Sequence, residues 1–358
     1  MTDRQTDRQT DRQTDRQTDR QTDRQTDRHY NLDLIKIVAC IAVVGLHTLQ
    51  MELSIINSSL YYLCGFAVPA FFMANGYITL NRPTANLKYS VHKIISILKI
   101  TLYWSALVSI PYVIYKSLQG EITLTGALLQ LPKTFLNGFI QRGLLWQFWF
   151  LGALIIVYAL LPLFRKYTNQ LPFIWSCLAG IGFVFQIASY YLGTPVQSHI
   201  IQTFRIWTWC QYFILGGVLG ANQGKIKDIS LKKAKIYFIF ITTWIVVFQN
   251  IAARLLIHNL HAEYFYDSVF TIIWLISIFS LGKSVHISVR TTGWIRKIVS
   301  LTMGVYIVHP FIIRIVRVLV QPNTLAMSLV FFVAVLFASL CVTYFMQKIP
   351  YVNKLVKL

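Results

Sequence analysis

Long apolar stretches recur along this chain after its first thirty residues, and they restrict the fold more than any other feature. A helix needs about 20 apolar residues to cross the hydrocarbon core of a bilayer. Hydrophobic residues make up 55% of the chain and charged residues only 13%, which excludes an ordinary soluble domain. We therefore predict an all-α, polytopic membrane bundle of about ten transmembrane helices, at roughly 34–52, 60–80, 94–115, 145–164, 172–192, 208–222, 235–256, 266–282, 298–320 and 325–347.

The positions of the cations orient these helices. Outside the first 28 residues the chain carries 26 Lys and Arg against 6 Asp and Glu. With a cytoplasmic N-terminus, most of these cations fall in cytoplasmic loops, where Lys and Arg are enriched in membrane proteins. The far side then receives only Lys116, Lys133, Arg142, Arg205, Arg254, Arg314 and Arg317. We therefore predict cytoplasmic N- and C-termini, and we attribute the net charge of +20 to orientation and anionic membrane lipids rather than to nucleic acid.

The first residues form a repeat that has no counterpart in the rest of the chain. Residues 2–28 repeat Thr-Asp-Arg-Gln six times and end in Thr-Asp-Arg, with no apolar residue. We therefore predict a disordered repeat tail at 1–29 and a transmembrane domain at 30–358. A repeated tetranucleotide such as ACAG encodes this period, and slippage of that tract would switch expression on and off, as in phase variation. A repeated twelve-nucleotide unit is the competing account, and the codons of the gene distinguish the two.

Lys36 and His47 are ionisable residues inside the first apolar stretch. Eleven helical residues make almost a whole number of turns, so both side chains leave the same face, about 16 Å apart along the axis. An ionisable residue inside a membrane segment is costly and indicates a functional site by default. The alternatives are a packing histidine and a lysine that extends to the interface. Asp33 lies one turn before Lys36, and we predict that it pairs with this lysine.

Three further segments carry recognisable patterns. They are Phe-Phe-Met-Ala-Asn-Gly-Tyr at 71–77, Trp-Gln-Phe-Trp-Phe-Leu at 146–151 and Gly-Val-Tyr-Ile-Val-His at 304–309. Together with Lys36, ten residues and His47, their order resembles that of the acyltransferase-3 family of integral membrane acyltransferases, which O-acylate cell-envelope glycans. The family's counterpart of the first segment ends in Ser-Gly-Tyr, so Asn75 replaces a serine here. The resemblance covers residues 31 to about 347.

The resemblance implies a membrane O-acyltransferase that moves an acetyl or other short acyl group from cytoplasmic acyl-CoA to a glycan hydroxyl. Such transfer needs a base, and neutral imidazole is suited to this role near pH 7. His47 is therefore the predicted base, and Lys36 is predicted to bind a donor phosphate or to stabilise charge on the thioester. Direct attack in a ternary complex is the default, and transient acylation of His47 is the alternative.

The expected co-substrate is acetyl-CoA. The expected acceptor is a glycan or glycolipid, with lipopolysaccharide and capsule as leading choices, in the bacterial cytoplasmic membrane. We predict no metal site, since the five cysteines lie in apolar stretches without paired spacing.

The resemblance also implies roles for several other residues. Family members often carry clustered arginines at the start of the third helix, where this chain has Lys88 and Lys93. Lysine neutralises a phosphate but lacks the planar fork of arginine, so these two are candidate donor-binding residues. Trp149, Tyr306 and His309 are candidate substrate-binding residues. The alternatives are an interfacial aromatic belt for the tryptophan and a role in helix geometry for the late segment.

A transporter or flippase for a polar envelope precursor is the rival function, since such proteins also bury a few charges in a helical bundle. The sequence lacks the internal duplication that many transporters show. A non-catalytic scaffold would leave Lys36 and His47 unexplained.

The predicted topology can be tested with reporters that work only outside the cytoplasm. Because the cation-poor loops lie on the far side, fusions after Glu121 or His261 are expected to be active. Fusions after Lys227 or Leu358 are expected to be inactive. Activity at Leu358 would contradict a cytoplasmic C-terminus.

Overall fold

The computed structural model describes residues 29–222 and 229–357, so the predicted tail lies outside the described residues apart from His29. The described residues form helices and no strands, which confirms the all-α class. The α-helices are α1 Tyr30–Thr48, α2 Ile55–Tyr62, α3 Ala67–Leu80, α4 Leu87–Leu118, α5 Leu124–Phe139, α6 Trp149–Lys166, α7 Leu171–Leu192, α8 Ile206–Ala221, α9 Leu231–Leu255, α10 Val269–Ser284, α11 Val289–Val299, α12 Thr302–Leu319 and α13 Leu325–Lys348. Short 3₁₀ segments lie at Gly143–Phe148, Thr168–Gln170, Val196–His199, Gln202–Phe204, Ala262–Phe265 and Val352–Leu355.

Most of the predicted membrane spans correspond to long apolar segments of the structure. In the described chain, 8 such segments are long and apolar enough to cross a membrane. They comprise α1, α2 with α3, α4, α5 with α6, α7, α9, α12 and α13. The remaining two predicted spans are α8 and α10, which are apolar but have only 16 residues each. A helix of that length covers about 24 Å, less than the roughly 30 Å of the hydrocarbon core.

Short 3₁₀ segments precede both of these helices. Gln202–Phe204 comes before α8, and Ala262–Phe265 comes before α10. Irregular backbone at membrane depth is tolerated where protein buries it and satisfies its polar groups. In the segment before α8, Trp209 satisfies one such polar group, because its Nε1 donates a 2.6 Å hydrogen bond to the carbonyl of Gln202. Hydrogen-bonded turns thus extend the two short helices.

Two other parts of the bundle differ from the predicted helices. The span predicted at 60–80 is divided into α2 and α3, because the backbone tightens between them. There the N–H groups of Cys64 and Gly65 bond carbonyls three residues earlier, at Tyr61 and Tyr62. In addition, α5 and α11 lie in segments for which no helix was predicted.

Helix α1 lies at the centre of the bundle, in contact with α2, α3, α10, α11, α12 and α13. Its neighbour α3 packs closely against α8 through glycines. A Cβ atom added at Gly76 would lie 1.8 Å from the carbonyl oxygen of Phe213, and one at Gly216 would lie 1.9 Å from that of Met73. The two backbones therefore touch at this crossing, and only glycine permits that distance.

Replacing Gly76 by Ala is expected to destabilise the bundle by at least about 1–3 kcal/mol, because the added methyl group overlaps the α8 backbone. Gly180→Ala is the matched control, since a Cβ atom there meets nothing within 4 Å. Thermal unfolding of both purified variants beside the parent measures the difference. Equal stability of the two variants would contradict the close crossing.

Candidate functional site

Lys36 and His47 lie on the same uninterrupted helix, α1. The Lys36 ammonium is 3.7 Å from a carboxylate oxygen of Asp33, which confirms the predicted pair. The lysine side chain is still 24% exposed. It therefore keeps part of its surface available to a ligand.

Rings from two distant parts of the chain surround His47. The Trp146 ring meets the imidazole edge-on, with centroids 4.8 Å apart, and the His309 ring stacks on it at 5.4 Å and 21°. In the described residues the His47 ring makes these ring contacts and no hydrogen bond to another protein group. Its nitrogens are thus free for a substrate.

His309 is fully buried in α12, and its ring is fixed by the backbone of that helix. Its Nδ1 lies 3.0 Å from the carbonyl oxygen of Val305. Because a carbonyl oxygen only accepts hydrogen bonds, Nδ1 carries the proton. In the neutral ring Nε2 is therefore an acceptor.

Gln147 connects the Gly143–Phe148 segment to the same helix. Its side-chain Nε2 donates to the carbonyl of Ile307 at 3.1 Å, and its backbone carbonyl accepts from the Tyr306 hydroxyl. Phe150 packs edge-on against Tyr306, with ring centroids 5.4 Å apart. These contacts hold the start of α6 against α12 beside His47.

A cavity of about 520 Å³ opens along α1 between Lys36 and His47. We call it the basic cavity, because its wall carries Lys36, Arg82 and Lys93. Two of these cations flank the ring of Tyr89, with Arg82 Cζ 5.4 Å and Lys93 Nζ 5.9 Å from the ring centroid. Three cations and an aromatic ring in the wall of one cavity, against the single carboxylate of Asp33, suit an anionic ligand with a planar group.

A second cavity of about 430 Å³ lies on the opposite side of His47, and we call it the Glu263 cavity. Arg205 holds the Glu263 carboxylate at 3.3 Å, and the side-chain amide of Gln202 donates to it as well. The backbone N–H of Gln202 in turn donates to the side chain of Gln141 at 3.2 Å. The wall therefore combines fixed polar groups with the aromatic rings of Tyr61, Trp146, Trp149 and Tyr266.

His47 lines both cavities, together with Val68 and Trp149. A ligand in either cavity can therefore reach the same imidazole. This position is suited to chemistry between two molecules that approach from different sides.

Most of the predicted site residues lie around the basic cavity. It is lined by Lys36, His47, Lys93, Trp149, Tyr306 and His309. Lys88 is exposed and does not line the cavity. Lys93 lies five helical steps after Lys88, which turns their side chains about 140° apart.

Arg82 and Gln147 line the basic cavity but were not predicted as site residues. The sequence identified Arg82 only as a loop cation. Its proximity to Lys88 and Lys93 was the available signal. Gln147 lies inside the aromatic segment 146–151, where a single polar residue among large rings was the signal.

Comparison with protein families identifies the chain. The family model described as an acyltransferase domain, acyltransferase-3, matches residues 29–348. The chain belongs to the acyltransferase-3 family. It is thus a multi-pass membrane acyltransferase, and family membership favours this activity over the transporter considered from the sequence. No curated protein and no solved structure matches the chain.

Proposed function

We propose that this acyltransferase moves an acetyl or other short acyl group from cytoplasmic acyl-CoA to a hydroxyl of a cell-surface glycan. The observation that carries the proposal is the position of His47 between the basic cavity and the Glu263 cavity. The proposed location is the bacterial cytoplasmic membrane, and the leading acceptors are lipopolysaccharide and capsule.

The basic cavity supports acyl-CoA as the donor. Its cations Lys36, Arg82 and Lys93 suit the phosphates of a nucleotide, and Tyr89 offers a ring for a base. Lys36 lies about 16 Å from His47 along α1. An extended donor arm spans such a distance, so phosphates near Lys36 and a thioester near His47 are compatible.

The Glu263 cavity supports a sugar acceptor. Aromatic faces pack against sugar rings, and fixed groups such as Gln141, Gln202 and Glu263 suit hydroxyls. A predicted substrate-binding residue, Trp149, borders this cavity as well. The acceptor hydroxyl would reach His47 from this side.

The proposed reaction is a direct transfer. The acceptor hydroxyl oxygen attacks the thioester carbonyl carbon while His47 takes the hydroxyl proton. The carbon–sulfur bond then breaks, and the thiolate leaves with that proton as a thiol. Transient acylation of His47 is the alternative: an imidazole nitrogen displaces the thiolate from the carbonyl carbon, and the acceptor hydroxyl oxygen then displaces the imidazole as the hydroxyl proton passes to the thiolate.

Mass spectrometry of surface glycans from cells with and without the gene tests the function. An O-acetyl mass difference on otherwise intact chains supports the proposal. Loss of whole glycan chains would instead indicate export.

Replacing His47 by Ala is expected to lower turnover about 10²- to 10⁴-fold, because the base that takes the hydroxyl proton is lost. The measurement is thiol release from acetyl-CoA by purified protein with an acceptor glycan. His199→Ala is the matched control, since that residue is exposed and lines neither cavity. Parental turnover in a folded His47→Ala protein would refute the base assignment.

Replacing Arg82 or Lys93 by Ala is expected to raise the KM for acetyl-CoA about tenfold each, the equivalent of about 1.4 kcal/mol. Lys36→Ala is expected to act alike, whereas Lys36→Arg keeps the charge and is expected to be tolerated. Lys88→Ala is the control, because this residue lies outside the basic cavity. The same variants are also assayed with an acetyl thioester that lacks phosphates. This donor distinguishes loss of phosphate binding from general damage to the site. Equal effects on both donors would argue against phosphate binding.

A further inference from the structure

Two buried acceptor atoms, on residues that line the basic cavity, lack a hydrogen-bond partner among the described residues. They are Gln147 Oε1 and His309 Nε2. The residues are 2% and 0% exposed, and both line the cavity. A buried polar atom without a partner is unfavourable, and a bound ligand that supplies one removes the penalty.

The surrounding backbone determines that both atoms accept rather than donate. Gln147 directs its amide nitrogen at the carbonyl of Ile307, and His309 directs Nδ1 at the carbonyl of Val305. Since carbonyl oxygens only accept hydrogen bonds, the donor nitrogen of each side chain is already used. The acceptor atom of each side chain is left for another donor. The two carbonyls that fix these orientations belong to the same helix, α12.

The location of the two acceptors indicates which ligand meets them. His309 stacks on His47, and Gln147 is adjacent to Trp146, whose ring also touches His47. Both residues line the basic cavity and neither lines the Glu263 cavity. A partner for them thus belongs to the molecule in the basic cavity, close to the reacting atoms.

We propose that Gln147 Oε1 and His309 Nε2 position the acyl donor by accepting hydrogen bonds from amide N–H groups of its pantetheine arm. The inference rests on the proposed function. The arm between thioester and phosphates carries two secondary amides, and the nearer nitrogen is separated from sulfur by two carbons. With the phosphates at the cations and an N–H held beside His47, the thioester carbonyl lies against the imidazole. The pair thereby selects donors that carry amide N–H groups.

Donor analogues test the proposal without changing the protein. In each of two analogues of acetyl-CoA, one amide N–H is replaced by an ester oxygen. The parent is expected to lose at least about tenfold in kcat/KM with one or both analogues, because an oxygen then faces a fixed acceptor. Absence of any loss with both analogues would overturn the inference.

The same donors with variant proteins assign the contact. Gln147→Met keeps the side-chain size and removes the acceptor oxygen. In this variant, the drop in kcat/KM on changing from acetyl-CoA to one of the two ester analogues is expected to shrink to less than about twofold. His309→Phe is expected to do the same, for the same or the other analogue. Gln186→Met is the matched control, since Gln186 is equally buried but does not line the cavity. The Gln186→Met protein is expected to show the same drop in kcat/KM with the ester analogues as the parent.

The outcomes separate the inference from the proposed function. If the parent releases thiol from acetyl-CoA but the ester penalty is the same in the Gln147→Met and His309→Phe proteins, only the inference is wrong. A raised KM for the acceptor with unchanged donor kinetics would assign the pair to the acceptor hydroxyl and also overturn it. If the parent consumes no acetyl-CoA, the proposed function fails and the inference fails with it. Should a variant not fold, the analogue series on the parent decides.

Discussion

The packing of α1 against six other helices is the constraint on which both cavities depend. Its neighbours approach closely through small residues. A Cβ atom at Gly282 of α10 would lie 2.8 Å from the Ile35 side chain, and one at Gly45 would lie 2.5 Å from the Cys64 sulfur. Close packing against these helices leaves α1 little freedom to shift. The separation between Lys36 and His47 is therefore set by helix geometry alone.

Much of the fold follows from hydropathy, and the departures have local causes. Eight predicted spans are long apolar segments, because a membrane helix must bury its whole length in an apolar environment. The shortness of α8 and α10 agrees with the predicted spans 208–222 and 266–282, whereas the 3₁₀ segments before them were not predictable, since apolar turns and apolar helices have the same composition. The division between α2 and α3 depends on single hydrogen bonds, such as that from the Cys64 N–H to the Tyr61 carbonyl. The hydropathy pattern of the sequence does not predict such single hydrogen bonds.

The candidate site was predictable where residues share a helix and unpredictable where they meet in space. Lys36 and His47 follow from spacing on α1. The stacking of His47 on His309 joins residues more than 200 positions apart, and no local pattern indicates it. The free acceptor of Gln147 depends on which carbonyl its amide meets, which only the packed bundle determines. Resemblance to a family indicated the segments that carry these residues, without their contacts.

The two cavities are built from different kinds of structure. Helices α1, α3, α6 and α12 supply most of the basic cavity, whereas the Glu263 cavity draws Gln141, Gln202 and Glu263 from turns between helices. Turns accept substitutions and insertions more readily than packed helices. Under the proposed assignment of the two cavities, related chains can therefore diverge in the acceptors they modify while retaining the same donor chemistry. In evolutionary terms, that assignment places the substrate range of the enzyme in its loops and its reaction in its core.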